Sequence, residues 1–267
     1  MNAARAEIRV RRIVVALDAL CENHGALAAG ARLAQRWRCD LQGVFVIDAD
    51  LVHLGELPGV RQVGLSVADC GLLDPVGLAQ NLAGLEARAR RACAEAARAA
   101  GIAVTFAVVH GDMVGAAVDL TEEDLLVVEG STRAFVGRLR FESRWRRHAA
   151  AARQPVLLLR RTTDAGGPVM CLYDGGAAAE RALVLAARLA ADRDDRLVIL
   201  AAPGTEPTLI AAVGKTHPHA RIRRLDGDSD STWRQAIDLL APALIVTPAD
   251  APAERWAAST ADMLLVP

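Results

Sequence analysis

The chain has 267 residues, 52% of them hydrophobic and 24% charged, with a formal net charge of −1. That composition excludes a disordered chain, and the near-neutral balance supplies no field that would select nucleic acid or an acidic membrane surface. No uncharged apolar run reaches the ~20 residues needed to span a bilayer, and the charged opening, Met1 to Arg12, lacks an apolar signal core, so a cytoplasmic protein is expected.

The first apolar run, Ile13 to Leu17, is short, β-branched and closed by Asp18, as expected of a strand covered on both faces. From Ala26 to Trp37 the apolar residues recur at helical spacing, with Arg32, Gln35 and Arg36 as the wet face. Leu41 to Ile47 is the next strand, completing a strand–helix–strand unit and hence a parallel sheet. Residues 48–80 carry seven glycines and prolines and read as one long irregular loop. A long helix is predicted from about Asn81 to Ala100, stopped by Gly101. Ile102 to Val109 is strand three, Asp112 caps a short helix through Leu120, and Leu125 to Val128 is strand four. The arginine-rich segment 133–153 leads to strand five, Pro155 to Leu159.

After the linker Gly166-Gly167-Pro168 the series starts again. Val169 to Tyr173, Leu197 to Ala202, Ile222 to Leu225, Ala243 to Thr247 and Met263 to Val266 read as strands, with helices over Ala178 to Ala191 and Ser231 to Leu240. Three pairs of segments match across the halves: Ile13 to Asp18 with Val169 to Asp174, Leu125 to Val128 with Ala243 to Val246, and Pro155 to Leu159 with Asp262 to Val266. The chain therefore reads as an internal duplication: a first domain over 1–163 and a shortened second over 168–267.

These residues resemble the universal stress protein family. The carrying motifs are Tyr173-Asp174-Gly175-Gly176 followed by an alanine- and leucine-rich helix, Leu125 to Val128 followed by Glu129-Gly130-Ser131, and Arg144 to His148 leading into Gln154-Pro155-Val156. In the first half Asp18 is kept, but Ala19-Leu20 stands where the family has Gly-Ser. The resemblance implies α/β architecture, two tandem open five-stranded parallel-sheet domains of flavodoxin/Rossmann type, related by a pseudo-two-fold axis. It also places a ligand site at the carboxyl ends of the strands, where Asp18, Gly130, Asp174 and Thr247 would lie.

Members that bind ATP carry glycines and a hydroxyl after strand four, so that backbone N–H groups can approach phosphate oxygens. Here the candidate set is Asp18, Gly130, Ser131, Arg133, Gly137 and Ser143. Arg133 stands where the second glycine belongs, and the third falls at Ser143 or, counted back from Pro155, at Glu142. The arginines could supply charge but not backbone access. The second half, Thr247 to Pro252, has no glycine, and its two prolines remove N–H donors.

Other features carry less. Gly214-Lys215-Thr216 resembles the end of a phosphate loop, but Leu209 stands where its first glycine belongs. The basic run 138–148, with Phe141 and Trp145, reads as a solvated or phosphate-facing helix rather than a nucleic-acid surface. His217 and His219 flank Pro218 without completing a metal set. The five cysteines, Cys21, Cys39, Cys70, Cys93 and Cys171, are odd in number and lack C-x-x-C spacing, as expected of reduced, buried thiols. There is no nucleophile elbow and no metal cluster in the sequence.

The expectation is a non-enzymatic stress-response protein without a cofactor, acting on a protein partner or small ligand, with no membrane or nucleic-acid partner. Adenine nucleotide binding by the first half, ATP or AMP, is the alternative. The apolar last strands are expected to pair across the two halves as an intramolecular pseudo-dimer, with a homodimer as the other arrangement.

Overall fold

A computed structural model describes residues 10–18, 24–57, 59–62, 71–111, 120–121, 123–130, 145–151, 154–160, 167–191, 196–205, 213, 217–256 and 259–267. Outside these fall the helix expected over 112–120, most of the arginine-rich segment, the phosphate-loop look-alike at Lys215, and Cys21 and Cys70. The chain divides into two compact units: residues 12–119, and residues 120–267 together with the stretch up to Arg11.

In the 12–119 unit, β1 (Arg12–Asp18) pairs in parallel with β2 (Asp40–Ile47), and β2 with β5 (Val104–His110). The helix α1 (His24–Trp37) turns Ala26, Leu27, Ala31, Ala34 and Trp37 inward, the stripe that its spacing predicts. Gly30 sits where α1 crosses β1; a Cβ there would lie 2.5 Å from Val15 Cγ2.

The segment 48–80 is not the single irregular loop expected. It holds α2 (Ala49–Glu56), capped by Asp48, and an antiparallel pair of two-residue strands, β3 (Arg61–Gln62) with β4 (Gly71–Leu72). The long helix α3 (Pro75–Ala100) begins six residues before the expected Asn81. Asp74 accepts hydrogen bonds from the N–H groups of Val76 and Gly77, both at 3.0 Å, and Pro75 occupies the first turn, where a missing N–H costs nothing. Pro75 and Gly77 look like breakers in the sequence; here they belong to a helix start. Gly101 ends α3 in the left-handed region, φ 65°, as expected of a C-terminal stop.

In the other unit the described strands are β6 (Asp124–Glu129), β7 (Val156–Leu159), β8 (Val169–Tyr173), β9 (Leu197–Ala201), β10 (Arg221–Arg224), β11 (Leu244–Pro248) and β12 (Asp262–Val266). Two long helices accompany them, α4 (Ala177–Ala190) and α5 (Asp230–Leu240). Their sheet order is β10-β9-β8-β11-β12-β7-β6. Neighbours run parallel except at β12–β7. The first strand of the second half, β8, thus lies between the second and the fourth, which makes the topological switch of a doubly wound sheet.

The exceptional pair carries the symmetry. Val156, Leu157 and Leu158 are the repeat equivalents of Met263, Leu264 and Leu265, and in the antiparallel register Leu157 faces Leu264, while Val156 faces Leu265 and Leu158 faces Met263. Equivalent residues exchange places about Leu157–Leu264, which is the register of a local pseudo-two-fold axis. The pairing also removes two apolar edges that would otherwise invite aggregation. Arg160 locks one end: its N–H donates to Asp262 Oδ1 at 2.7 Å, and its buried guanidinium donates to the carbonyls of Ser259 at 2.9 Å and Ala261 at 3.4 Å.

Candidate functional site

In a parallel sheet the site is sought where the strands end. Asp18 is the last residue of β1, in register with Val46. Gly130 follows β6 in the other unit, and its N–H donates to the Leu159 carbonyl at 2.9 Å, extending the β6–β7 ladder. That N–H is therefore engaged in the sheet rather than offered to a phosphate. Ser131, Arg133, Gly137 and Ser143 lie outside the described residues.

In the second half the ends of β8 and β11 lie among the described residues. Asp174 follows β8 and accepts from the Gly176 N–H at 2.9 Å, while Gly175 takes φ 87°, a left-handed conformation that suits glycine. Asp174 thus caps its own turn, the commoner role of an aspartate after a strand. Thr247 is not at an open rim. It lies inside β11, completely buried, with its hydroxyl 3.3 Å from the Pro248 carbonyl.

Beyond β11, four N–H groups of the loop 249–256 are bonded within the protein. Ala249 donates to the Val266 carbonyl at 2.8 Å, Ala251 to Pro248 at 3.3 Å, Arg255 to Pro252 at 3.3 Å and Trp256 to Ala253 at 3.2 Å. Its carbonyls face guanidinium groups instead. Arg146 donates to Ala249 at 3.3 Å and to Ala251, and Arg234 donates to Glu254 at 2.8 and 3.1 Å. Arg255 is buried over the Trp233 ring, 4.6 Å from its centroid, with Asp228 at 3.2 Å and Asp230 at 3.3 Å. Trp233 also donates its indole N–H to Asp228 at 2.8 Å. An anion nest needs convergent free N–H groups; this loop presents the opposite polarity.

Local sequence reading missed this cluster. Its traces are present, in Glu254-Arg255-Trp256 and in two aspartates flanking the start of α5, but the contacts join residues up to 105 positions apart. Of the run 138–148, expected as a solvated or phosphate-facing helix, only the part from Trp145 is described: in the helical stretch 145–151 Trp145, His148 and Ala149 are buried and Arg147 is exposed. Trp145 meets the His148 ring edge-on, 5.5 Å between centroids. Burial lowers the His148 pKa below its usual 6.5, with contact to the Gln154 side chain partly offsetting that. Burial likewise pushes the Cys93 and Cys171 thiols up, so neither is poised as a nucleophile. Among the described residues no group of three or more metal-ligating side chains forms, and no helix is long and apolar enough to cross a membrane.

Compared with known proteins, the sequence matches no family model and no curated protein. Solved structures do match. A universal stress protein from Archaeoglobus fulgidus superimposes with a TM-score of 0.59 at 14% identity, over 96% of this chain and 98% of that one. The fold is that of the universal stress proteins. A putative universal stress protein from Pseudomonas aeruginosa gives a TM-score of 0.53 at 15% identity, over 99% of this chain and 95% of that one. A functionally unknown protein from the same species gives 0.58 at 15% identity, over 100% and 94%. At such identities the universal stress protein fold is what is shared, and the chemistry has to be argued from this chain's own residues.

Proposed function

We propose that this protein is a tandem universal stress protein that works by binding, not by turnover, with a protein or a small non-nucleotide ligand as its target. One observation carries the reading: at the strand ends the N–H groups of Gly130 and, in the loop after β11, of Ala249, Ala251, Arg255 and Trp256 are engaged within the protein. The β7–β12 pairing supports the pseudo-dimeric, tandem organisation. The second half then serves as a structural counterpart of the first.

Gly130 at the end of β6 keeps one feature of an adenine-nucleotide loop, so nucleotide sensing by the first half is the reading to test against. A strain lacking the gene is challenged with stress and complemented with the wild-type chain or with Gly130→Asp, which sets a carboxylate against any phosphate. Binding without nucleotide predicts that the deletion lowers survival and that both forms restore it. Failure of a folded Gly130→Asp to restore survival would favour nucleotide sensing, and full survival of the deletion strain would remove the stress role.

A further inference from the structure

The loop after β11 has an inverted polarity that invites a ligand of its own. The N–H groups of Ala249, Ala251, Arg255 and Trp256 are spent on Val266, Pro248, Pro252 and Ala253, and the carbonyls of Ala249 and Ala251 both turn to Arg146. A planar guanidinium matches two such carbonyls, because its donors are held in a fixed fork and it stacks on an aromatic face. Trp256 supplies that face: it is buried, and the Arg146 guanidinium carbon stands 5.6 Å from its ring centroid. The geometry points to a guanidinium-binding cradle formed by the Ala249 and Ala251 carbonyls and the Trp256 ring, filled in cis by Arg146.

The occupant gives the cradle a role. Arg146 belongs to the helical stretch 145–151, which leads from the segment after β6 into β7. It bonds to a loop more than 100 residues away, between β11 and β12. The contact is thus a latch joining the approach to the last strand of one repeat with the approach to the last strand of the other. Displacing 145–151 withdraws the guanidinium and frees two carbonyls. The neighbouring Arg255 and Arg234 do not substitute, since their donors are engaged with Asp228 and Asp230 and with Glu254. The cradle is independent of any nucleotide question, so it stands or falls separately from the proposed function.

The test is chemical rescue read by hydrogen exchange of the amides in 249–256. Arg146→Met keeps an apolar stem over Trp256 but removes every donor. Loss of two charge-assisted hydrogen bonds should speed exchange there by about tenfold to hundredfold. Millimolar methylguanidinium, far below denaturing concentration, should slow exchange again in Arg146→Met and leave the wild type unchanged. Arg146→Lys should stay fast, because a point charge lacks the fork. A variant that folds only with methylguanidinium present gives the same answer. Unchanged exchange in Arg146→Met, a Lys variant as protected as wild type, no rescue, or a chain that stays unfolded with methylguanidinium would each overturn the cradle.

Discussion

Gly30→Ala should destabilise this protein, although helix propensity alone says the reverse. Replacing a mid-helix glycine by alanine favours a helix by about 1 kcal/mol. Here the added Cβ would lie 2.5 Å from Val15 Cγ2, 3.5 Å from Leu41 Cδ1 and 3.7 Å from Ile13 Cγ2. Carbon atoms settle at roughly 3.5–4.0 Å, so Val15 or the helix must yield by about 1 Å. Val15 is completely buried in β1 and, being β-branched, has little rotamer freedom. Overpacking costs about 1–3 kcal/mol; with Val15 unable to turn away, the upper part of that range, about 2–3 kcal/mol, leaves a net loss of about 1–2 kcal/mol after the propensity gain. Thermal unfolding followed by circular dichroism should show a Tm lower by about 2–8 °C. Val15→Ala makes room for the new methyl, so in a double-mutant cycle the two changes should couple favourably by about 1 kcal/mol or more. A Tm that rises in Gly30→Ala, or a cycle with no coupling, would refute the close approach of α1 to β1.

Leu157→Ala and Leu264→Ala should each cost about 2–5 kcal/mol in denaturant unfolding, and the double variant less than the sum, because the two side chains face each other across β7–β12; simple additivity would contradict the register. Asp74→Ala should cost about 1 kcal/mol and speed amide exchange in the first turn of α3 only, whereas unchanged exchange there would deny the cap. Burial holds the native His148 pKa below 6.5, so the unfolded chain binds its proton more readily and stability must fall as pH drops below that value towards the depressed native pKa. Above it the contribution is fully present, and His148→Gln should flatten the slope in this window; an identical slope in both forms would show that His148 takes no part.

Most of the fold is legible because buried parallel strands announce themselves as short continuous apolar runs. Val169–Tyr173 is one, and its bounds in the structure are those its sequence predicts. The proposed duplication rests on the same signal, since matched apolar runs recur in matched order. The start of α3 was hidden because proline and glycine carry opposite meanings in a loop and in a first turn; only the aspartate before Pro75 distinguishes them. The edge strand β10 is half arginine-faced, yet Ile222 between charged neighbours was enough to place it to within a residue. The candidate site divides along the same line. Asp174-Gly175 reads as a turn because the turn is local. The grip of Arg146 on Ala249 spans 103 positions, and no local pattern encodes it. Whether a strand-end N–H is free or spent likewise depends on the neighbouring strand, as Gly130 and Leu159 show.

Isothermal titration of the intact protein with Mg-ATP tests the central claim most directly. With the Gly130 N–H held by Leu159 and the carbonyls of Ala249 and Ala251, in the loop after β11, turned to Arg146, no saturable heat should appear and the melting temperature should not move. A saturable isotherm with one nucleotide per chain, lost in Gly130→Asp, would contradict it; ligand at a hundred times its Kd would also add about 2.7 kcal/mol of stability, a shift too large to overlook.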